Sequence, residues 1–507
     1  MGIFTYLSKF LLSKRLNNIF LFKKNAAKDQ VKILKILLKF GEKTNYGSRF
    51  KFDKISNYQE FNKFVPVVSY EEFYPEIQKT LKGKSNNICP GSIKWFAKSS
   101  GTTNDKSKFI PVSDISLKDN HFKAGKDLLC SYLNNKNSSK LFDGRSLALG
   151  GSKQITPFDD NQMIFTGDIS AILLKNLPLW ASVSRTPPLE VALMPEWEEK
   201  LKLMAKITSK QNITSLSGVP TWTIVLIKEV LKYTGEKNIL EVWPNLELFI
   251  HGAVSFKPYQ DLFHDLIPSN KMNYLETYNA SEGFFAFQDD LDKKEMLLLT
   301  DHGVFYEFED IKSGEICDLS GVSLNINYAL IISTFSGLWR YRIGDTIKFV
   351  SLDPYRIFIT GRTKHFINAF GEEVIVQNTD VALANTCKKT KSTFYNYSAA
   401  PVFITGRDRG AHEWIIEFIS QPRDKQKFTD LLDEELQNIN SDYAAKRYKD
   451  IAMKKPVIHF VKKGFFDSWL RSKKKLGGQN KVPRLSNSRE YIDDMLSLIF
   501  RLYKVEG

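Results

Sequence analysis

Residues 213–254, "ITSLSGVPTWTIVLIKEVLKYTGEKNILEVWPNLELFIHGAV", decide the fold class of this chain. The short apolar run at 213–216 ends in Ser-Gly before Pro220, which is typical of a strand followed by a turn. Residues 221–234 have the longer apolar pattern of a helix, and residues 246–250 are again a short apolar run. Strands that alternate with helices in this way predict an α/β fold.

The same alternation extends over much of the chain. "SLALGG" (146–151) and "MNYLETYNASEG" (272–283) predict two further strands that end in turns. "DQVKILKILLKFGEK" (29–43) places Val31, Leu34 and Leu38 on one helical stripe, with Gly41 as the predicted end of the helix. Ligands of α/β proteins usually bind at the carboxyl ends of strands, so we expect the functional site there.

The chain is long enough for two or three domains. It has 507 residues, which exceeds the usual size of a single core. The pattern of apolar and turn residues changes near residue 355. There "YRIFITGRTKHFINAFGEEV" (355–374) predicts two short strands around a Gly-Arg-Thr-Lys turn. We therefore predict a large N-terminal domain at 1–355 and a smaller C-terminal domain at 356–507.

The positive charge lies at the two ends of the chain. The net charge is +15, and residues 1–50 contain 11 Lys/Arg against 2 Asp/Glu, while residues 461–507 contain 11 against 5. Residues 51–460 are therefore net neutral. The chain also lacks zinc-finger spacing, an aromatic ribonucleoprotein motif and a basic zipper, so we predict no nucleic-acid partner.

The cysteines and the first residues indicate where the chain resides. The four cysteines are far apart in sequence with no C-x-x-C, which disfavours a zinc site or a disulfide scaffold and suits the cytoplasm. The first 22 residues are apolar but are interrupted by Lys9, Lys14 and Arg15, which excludes a membrane span. They predict a basic amphipathic helix, which packs on its own domain or lies on a membrane surface.

The stretch "WFAKSSGTTNDKSKFIPVS" (95–113) is a candidate phosphate loop. Two predicted strands flank a segment that offers hydroxyls, backbone N–H groups around Gly101 and lysine ammonium groups, as a polyphosphate requires. The spacing from Gly101 to Lys106 is one residue too short for a Walker A motif, and Asp105 replaces its second glycine. A solvated Ser/Thr hairpin loop is the alternative.

Two further stretches could complete a nucleotide site. "YLETYNASEGFFAF" (274–287) predicts a strand that turns at Asn279, with Tyr278 as a wall for a base and Glu282 as an oxygen ligand for Mg²⁺. "SGLWRYRIGDTIKF" (336–349) predicts a hairpin that turns at Gly344–Asp345, where the carboxylate could accept ribose hydroxyls. An Asn-centred turn and a turn aspartate are the respective alternatives.

A fourth stretch, "KKKLGGQNKVPRL" (473–485), predicts a basic loop near the C-terminus. Together and in this order, the four stretches resemble the acyl-adenylate-forming superfamily that includes firefly luciferase. More closely, the chain resembles the auxin-responsive Gretchen Hagen family of acyl acid-amido synthetases. The resemblance covers nearly the whole chain, in segments that include "NYGSRFKF" (45–52), "FNKFVPVVSYEEFYPEI" (61–77), "SGVPTW" (217–222), "PNLELFIHGAVSFKPY" (244–259), "YNASEG" (278–283), "YRIGD" (341–345) and "QNKVPRL" (479–485).

The resemblance implies a fold and a set of site residues. The fold is a large N-terminal domain of α/β subdomains with a β-barrel-like part, and a smaller mobile α+β domain. The implied phosphate loop comprises Ser99, Ser100, Gly101, Thr102, Thr103 and Lys106. Tyr278 would flank adenine, Ser281 would hold the α-phosphate region, and Glu282 would bind Mg²⁺. Asp345 would bind the ribose with help from Arg362, and Lys481 would reach the acyl carboxylate and the α-phosphate; Lys481, Glu282 and Lys106 are the implied catalytic residues.

Two features depart from the family pattern. Asp105 stands where many relatives carry glycine, and the turn in "GRTKHFINAFGEEV" (361–374) is more similar to the general superfamily. The segment 249–259 is expected to form one wall of the acyl pocket, with His251 either packed or catalytic.

The resemblance also implies a reaction. A small-molecule carboxylic acid and ATP would form an acyl-AMP and pyrophosphate, and an amino acid would then form an amide and release AMP. ATP and Mg²⁺ are the implied cofactors, with no stable membrane insertion. A thiol acceptor, as in an acyl-CoA synthetase, is the closest alternative, and a non-enzymatic basic protein of the membrane surface is a second one.

Overall fold

The computed structural model describes residues 3–99, 108–150, 156–158, 161–254, 256, 259–362, 366–405, 408–473 and 482–503. The helices are α1 (Ile3–Gly41), α2 (Asn45–Arg49), α3 (Tyr58–Phe64), α4 (Tyr70–Leu81), α5 (Asp114–Ser116), α6 (Lys123–Asn135), α7 (Ile169–Lys175), α8 (Leu179–Ser182), α9 (Leu189–Ala192), α10 (Trp197–Thr208), α11 (Pro220–Thr234), α12 (Ile239–Val242), α13 (Gln260–Leu266), α14 (Val376–Thr390), α15 (Lys425–Ile439), α16 (Ser441–Arg447), α17 (Phe465–Ser472) and α18 (Glu490–Tyr503). A π-helical segment, Leu117–Phe122, joins α5 to α6.

The strands are β1 (Trp95–Ser99), β2 (Lys108–Val112), β3 (Arg145–Ala148), β4 (Thr156–Phe158), β5 (Asn161–Gly167), β6 (Arg185–Thr186), β7 (Ile213–Gly218), β8 (Leu248–Gly252), β9 (Asn273–Ala280), β10 (Gly283–Phe287), β11 (Met296–Leu298), β12 (Val304–Asp310), β13 (Ile316–Asp318), β14 (Asn327–Thr334), β15 (Tyr341–Leu352), β16 (Tyr355–Arg362), β17 (Phe366–Ile367), β18 (Val374–Ile375), β19 (Thr393–Val402), β20 (Ala411–Ser420) and β21 (Val457–Lys462).

The chain divides into two compact units. The first contains Met1–Ser99, Lys108–Ala253 and Phe263–Thr363, and the second contains Val254–Leu262 and Lys364–Gly507. The domains expected at 1–355 and 356–507 stay a prediction. The helices of the described ranges lack the combination of length and apolar composition that is needed to cross a bilayer.

A twelve-stranded sheet organises the first unit. Its order is β13-β12-β14-β15-β16-β11-β10-β9-β8-β7-β3-β6. The strands β6, β3, β7, β8 and β9 are parallel, and the remaining pairs are antiparallel. The predicted β7, α11 and β8 unit is confirmed, with Ser215 opposite Leu248. The resemblance implied a β-barrel-like part in the N-terminal domain. The antiparallel half of this sheet corresponds to that part.

Parallel pairing brings four strand ends to one edge of the sheet. β3 ends at Ala148, β7 at Gly218, β8 at Gly252 and β9 at Ala280. This edge is where α/β proteins usually bind ligands. A separate four-stranded sheet of the same unit, with the order β2-β1-β5-β4, carries the strands on either side of the predicted phosphate loop.

The long helix α1 packs on the first unit through one face. The prediction that Val31 belongs to the buried stripe is wrong, because Val31 is 52% exposed whereas Leu34 and Leu38 are buried. The buried stripe is centred on Gln30, whose amide donates to the carbonyl oxygens of Thr300 (2.8 Å) and Val304 (2.9 Å). Val31 lies about 100° further round the helix and therefore faces solvent.

The helix α1 ends at Gly41, as predicted. A Cβ atom at this position would lie 2.6 Å from the ring of Trp339, which is fully buried. Glycine is therefore required here for the close approach of the helix end to the indole.

The second unit has its own sheet and core. β19 and β20 are antiparallel, and β21 adds to β20 in parallel. Ile415, Val461, Phe466, Ile492 and Met495 form a buried cluster between this sheet and the helices α17 and α18. The second unit therefore has a hydrophobic core of its own.

The two strands predicted around the Gly-Arg-Thr-Lys turn do not pair with each other. β16 pairs with β15 and β11 in the twelve-stranded sheet, whereas β17 pairs with β18. The prediction of two short strands on either side of this turn is confirmed, and each of them pairs with a strand from elsewhere in the chain.

Candidate active site

The hairpin of β9 and β10 stands at the ligand-binding edge of the parallel strands. Its turn is formed by Ser281 and Glu282, because Ala280 pairs with Gly283 and Asn279 pairs with Phe284. The predicted turn at Asn279 is thus two residues too early, since strand pairing extends through Asn279 and Ala280. The shift leaves Ser281 and Glu282 at the tip of the hairpin.

Two predicted site residues are in direct contact. The hydroxyl of Tyr278 donates a hydrogen bond of 2.7 Å to Oδ2 of Asp345, and both side chains are buried. The Tyr278 ring also packs edge-on against Phe285, with 5.0 Å between ring centroids. The structure therefore joins the second and third candidate stretches, while the role of Tyr278 beside adenine stays a prediction.

Asp345 lies inside a strand rather than at a turn. β15 runs from Tyr341 to Leu352 without interruption, so the predicted hairpin turn at Gly344–Asp345 is wrong. Gly344 has φ of +93° and the pairing with β16 shifts register after Thr346, so a local irregularity in a continuous strand replaces the turn. Asp345 lies opposite Arg362 across this pair, and the Arg362 side chain is outside the described residues.

Glu282 interacts electrostatically with a tyrosine that is hydrogen-bonded to the strand after the predicted phosphate loop. Glu282 is buried, and the tyrosine is Tyr70. Burial is the main cause that raises the pKa of Tyr70, and Glu282 contributes in the same direction. The Tyr70 hydroxyl accepts a hydrogen bond of 2.9 Å from the Phe109 N–H in β2. Tyr70 is therefore hydrogen-bonded to β2 and lies within electrostatic range of Glu282.

Glu282 fits a Mg²⁺ ion that is held mainly by phosphates. Across the described ranges, no group of three or more His, Cys, Asp or Glu side chains is arranged to hold a metal ion by itself. Mg²⁺ in nucleotide enzymes usually has one or two protein carboxylates, and the phosphates and water supply the other ligands. A single buried carboxylate at the hairpin tip agrees with that pattern.

The π-helical segment contributes two residues that the sequence pattern did not identify. Asn120 donates to the carbonyl oxygens of Phe284 (3.0 Å) and His302 (3.0 Å), and its Oδ1 accepts from the Phe284 N–H (2.7 Å). These bonds lie next to the β-bulge at Phe284–Ala286, two residues after Glu282. "LKDNHF" (117–122) contains no distinctive motif, so the sequence did not mark these residues. The feature that marks them is the π-helix, which is frequent at functional sites but is visible only in the structure.

His121 touches the same hairpin. Its imidazole is buried and is hydrogen-bonded to the Asn279 side chain. Burial lowers the His121 pKa to about 4, so the ring is neutral at physiological pH. Nδ1 has no hydrogen-bond partner among the described residues.

His251 lies at the carboxyl edge of β8. Burial lowers its pKa to about 3, and its carbonyl oxygen accepts a hydrogen bond of 3.0 Å from the Thr277 hydroxyl in β9. A neutral, packed imidazole is thus the state of His251 at physiological pH. A role as a general base near pH 7 does not agree with this pKa.

The remaining predicted site residues are outside the described part of the chain. These are Ser100, Gly101, Thr102, Thr103, Lys106 and Lys481, together with the side chain of Ser99. The prediction of strands on both sides of the phosphate loop is confirmed, because Ser99 in β1 pairs with Lys108 in β2. Two residues that follow Lys481 in the sequence are described. The Pro483 carbonyl accepts a hydrogen bond of 2.7 Å from the Ser398 hydroxyl, and Arg484 forms an ion pair of 2.8 Å with Asp380.

Sequence comparison places most of the chain in one family. The sequence model of the GH3 family N-terminal domain matches residues 15–272, that of the central domain matches 297–362 and that of the C-terminal domain matches 377–490. The first of these matches alone covers half of the chain.

Two curated relatives come from Arabidopsis thaliana. The 4-substituted benzoates-glutamate ligase GH3.12 is 24% identical over an alignment of 495 residues, which covers 82% of this chain and 85% of the relative. The probable indole-3-acetic acid-amido synthetase GH3.1 is 24% identical over an alignment of 157 residues, which covers 29% of this chain and 26% of the relative.

Solved structures support the fold. The AtGH3.15 acyl acid amido synthetase in complex with 2,4-DB has a TM-score of 0.62 at 18% identity, with 95% of each chain covered. The 2-hydroxyisobutyryl-CoA ligase in complex with 2-HIB-AMP and CoA has a TM-score of 0.57 at 11% identity, with 94% of each chain covered. The predicted acyl-adenylate-forming fold is confirmed, and so is the predicted enzyme class, a ligase of the acid–amino acid type. The chain therefore belongs to the GH3 family.

Proposed function

We propose that this chain is an ATP-dependent acyl acid-amido synthetase. It would adenylate a small carboxylic acid with release of pyrophosphate, and then transfer the acyl group to the amine of an amino acid with release of AMP. The observation that carries this proposal is the buried contact of Tyr278 with Asp345, beside the turn that presents Glu282. Each of these residues belongs to a stretch that resembles the family.

Asp345 would bind the ribose of ATP. A carboxylate can accept hydrogen bonds from both ribose hydroxyls, and the Tyr278 hydroxyl fixes its orientation through the bond to Oδ2. Arg362 stands opposite Asp345 on the neighbouring strand, which supports its assignment as an assisting residue. We assign the ring of Tyr278 to the adenine and Ser281 to the α-phosphate region.

Glu282 would hold Mg²⁺ through its buried carboxylate. When bound, the ion neutralises charge on the phosphates, which lowers the barrier to attack by an anionic carboxylate. We assign Ser99, Ser100, Gly101, Thr102, Thr103 and Lys106 to the phosphate loop. Lys106 and Lys481 would add positive charge at the α-phosphate, where negative charge develops as the acyl oxygen attacks.

The second half-reaction needs a neutral amine, which attacks the acyl carbon as AMP leaves. The acceptor amine is what separates this proposal from a thioester-forming ligase, because the fold is shared with a CoA ligase. The names of the curated relatives point to aromatic acids and to an amino acid as the co-substrate. All four cysteines are free thiols, and we propose the cytoplasm as the compartment.

The proposal is tested by ATP–pyrophosphate exchange over a panel of carboxylic acids, beginning with indole-3-acetic acid and substituted benzoates. Active acids are then incubated with each amino acid, and amide products are measured by mass spectrometry. AMP release that requires CoA and yields no amide would contradict the amide assignment and support the thiol acceptor. No exchange with any acid would contradict the adenylation step.

Glu282→Ala is the site-directed test of the same proposal. We expect exchange to fall at least about 100-fold, because the charge of the phosphates loses its protein-held counterion. Glu199→Ala, at an exposed position on α10, is the matched control and should retain full exchange. An unchanged Mg²⁺ dependence in Glu282→Ala would show that this carboxylate does not hold the ion.

A further inference from the structure

The outward face of α1 carries a row of lysines. Lys24, Lys28, Lys32, Lys35 and Lys39 are all exposed, and their spacing of three or four residues places them on one side of the helix. We call these five residues the lysine face. It extends over about 22 Å, because Lys24 and Lys39 are separated by fifteen helical steps of about 1.5 Å.

The opposite side of α1 holds the helix firmly on the first unit. The Gln30 side chain forms three hydrogen bonds to the backbone around β12, including one from the Tyr306 N–H at 2.9 Å. Lys23 forms an ion pair of 2.5 Å with the buried Asp289, and Arg15 forms one of 2.6 Å with the buried Asp127. The lysine face is therefore directed to solvent by contacts on the other side of the same helix.

Few acidic groups offset the charge of the lysine face. Lys39 forms an ion pair with Glu42 at 2.8 Å, while Lys24, Lys28, Lys32 and Lys35 form no ion pair with the described residues. In residues 1–50, Asp29 is the other acid besides Glu42, and it interacts with Lys32 and Lys123. The uncompensated positive charge favours an anionic partner.

Large apolar side chains lie beside these lysines. Phe20 is 55% exposed, Leu21 is 57%, Val31 is 52% and Ile36 is 42%. Part of the same surface, from Lys28 to Phe40, forms a shallow depression of about 650 Å³. A polyanion in solution, such as a nucleic acid, needs only the cations. Lysines next to exposed aromatic and aliphatic side chains are typical of helices that lie in the interface of a membrane with anionic lipids.

We propose that the lysine face docks this chain peripherally on membranes that contain anionic lipids. The lysines would contact the headgroups, while Phe20, Leu21, Val31 and Ile36 enter the interfacial region. None of these residues is assigned to ATP, so the test of this surface is independent of the proposed reaction.

The experiment is sedimentation of the full chain with large unilamellar vesicles. One set contains phosphatidylcholine alone, and the other contains about 30 mol% phosphatidylglycerol. We expect binding to the anionic vesicles and at least tenfold weaker binding to the neutral ones. Raising the salt from about 0.05 to 0.5 M should weaken the anionic binding further, because the headgroup charges are screened.

Lysine substitutions test whether vesicle binding depends on the lysine face or only on the net positive charge of the protein. The triple variant Lys28→Gln, Lys32→Gln and Lys35→Gln should lower vesicle partitioning about 100-fold, since each lysine near an anionic surface contributes about fivefold. The matched control replaces three exposed lysines on and just after α10 with Gln, namely Lys202, Lys206 and Lys210. The control should bind as the wild type does. Circular dichroism and retained ATP–pyrophosphate exchange would establish that both variants are folded.

Substitutions of the exposed apolar residues test whether the partner of the lysine face is a membrane or another polyanion. Phe20→Ser with Leu21→Ser should lower vesicle binding about tenfold, whereas Ile311→Ser with Leu324→Ser, which are exposed elsewhere, should not. The proposal is overturned if the wild type does not sediment with anionic vesicles, or if both triple lysine variants lose binding equally. It is also overturned if the serine variants bind like the wild type while duplex DNA displaces the vesicles, because the face would then be a nucleic-acid site.

Discussion

At the residue scale, the contact of Tyr278 with Asp345 is the central feature of the candidate site. The two residues are 67 positions apart in sequence, and their hydrogen bond of 2.7 Å is buried. A hydrogen bond to a charged group inside a protein contributes about 1.5–3 kcal/mol. Its loss would leave the carboxylate free to rotate away from the ribose.

Tyr278→Phe should therefore raise the KM for ATP about tenfold in the exchange assay, with a smaller change in kcat. Tyr306→Phe is the matched control, because its hydroxyl also forms one buried hydrogen bond, to the Leu299 carbonyl at 3.2 Å. It should lower the melting temperature and leave the KM for ATP unchanged. Equal KM values in the two variants would remove Tyr278 from the nucleotide site.

A buried lysine, Lys200, allows a test by pH. Its side chain in α10 lies 3.3 Å from the Gly150 carbonyl, and burial lowers its pKa to about 8 from 10.5. The unfolded chain therefore binds this proton more readily between pH 8 and 10.5. Stability from this group rises as the pH rises through that window, because deprotonation relieves the buried charge.

We compare Lys200→Met with the wild type by urea unfolding. Between pH 7.5 and 9.5, the difference in unfolding free energy should move in favour of the wild type by about 2 kcal/mol. Groups that titrate in both proteins cancel in this difference. A difference that is independent of pH would mean that the pKa of Lys200 is not lowered in the folded chain.

At the scale of elements, the π-helical segment Leu117–Phe122 supports the hairpin of β9 and β10. Asn120 satisfies both backbone groups of Phe284 beside the β-bulge, and His121 contacts Asn279. A regular α-helix would direct these side chains differently, since the π-segment adds a residue to the turn. We therefore expect the segment to position Glu282, which lies two residues before Phe284.

Asn120→Ala should lower the unfolding free energy by about 1–3 kcal/mol and should also lower kcat for adenylation. Asn135→Ala is the control, because its amide donates to the carbonyls of Ser131 (2.8 Å) and Asp289 (2.7 Å), and Asp289 follows the end of β10 that is opposite the hairpin turn. The control should lose stability alone. If Asn120→Ala shows full exchange per folded molecule, the segment is structural only.

At the scale of the whole molecule, the proposed site residues belong to different parts of the chain. Glu282 and Asp345 are in the first unit, whereas Lys481 belongs by sequence to the second. In the proposed reaction, Lys481 assists adenylation and is not needed when the acyl adenylate already exists. The two half-reactions should therefore respond differently to its removal.

Lys481→Ala should reduce ATP–pyrophosphate exchange more than it reduces amide formation from a supplied acyl adenylate, by a ratio of at least about tenfold. Lys473→Ala is the control, since Lys473 is a neighbouring basic residue that forms an ion pair with Asp494 at 2.8 Å. The control should change neither rate. An equal loss in both half-reactions would contradict the assigned role of Lys481.

Sequence patterns predicted much of this fold and named two residues, Tyr278 and Asp345, that the structure brings into contact. The β7, α11 and β8 unit and the end of α1 at Gly41 were predictable, because apolar period and turn residues act over a few positions. Gly344–Asp345 was mistaken for a hairpin turn, because a glycine in a bulged strand and a glycine in a turn look the same locally. Asn120 had no local signal at all.

By itself, the sequence determined the α/β class, the family and the identities of Tyr278, Glu282 and Asp345 as site candidates, because motif order and local periodicity are properties of the chain. The tertiary structure decided that the Tyr278 hydroxyl holds Asp345, that Asn120 supports Phe284, and that the lysines of α1 face solvent. These facts depend on which surfaces pack together across separations of 67 to 276 residues. These contacts are determined by the burial and hydrogen bonding of groups that are distant in sequence, and no local pattern of residues specifies them.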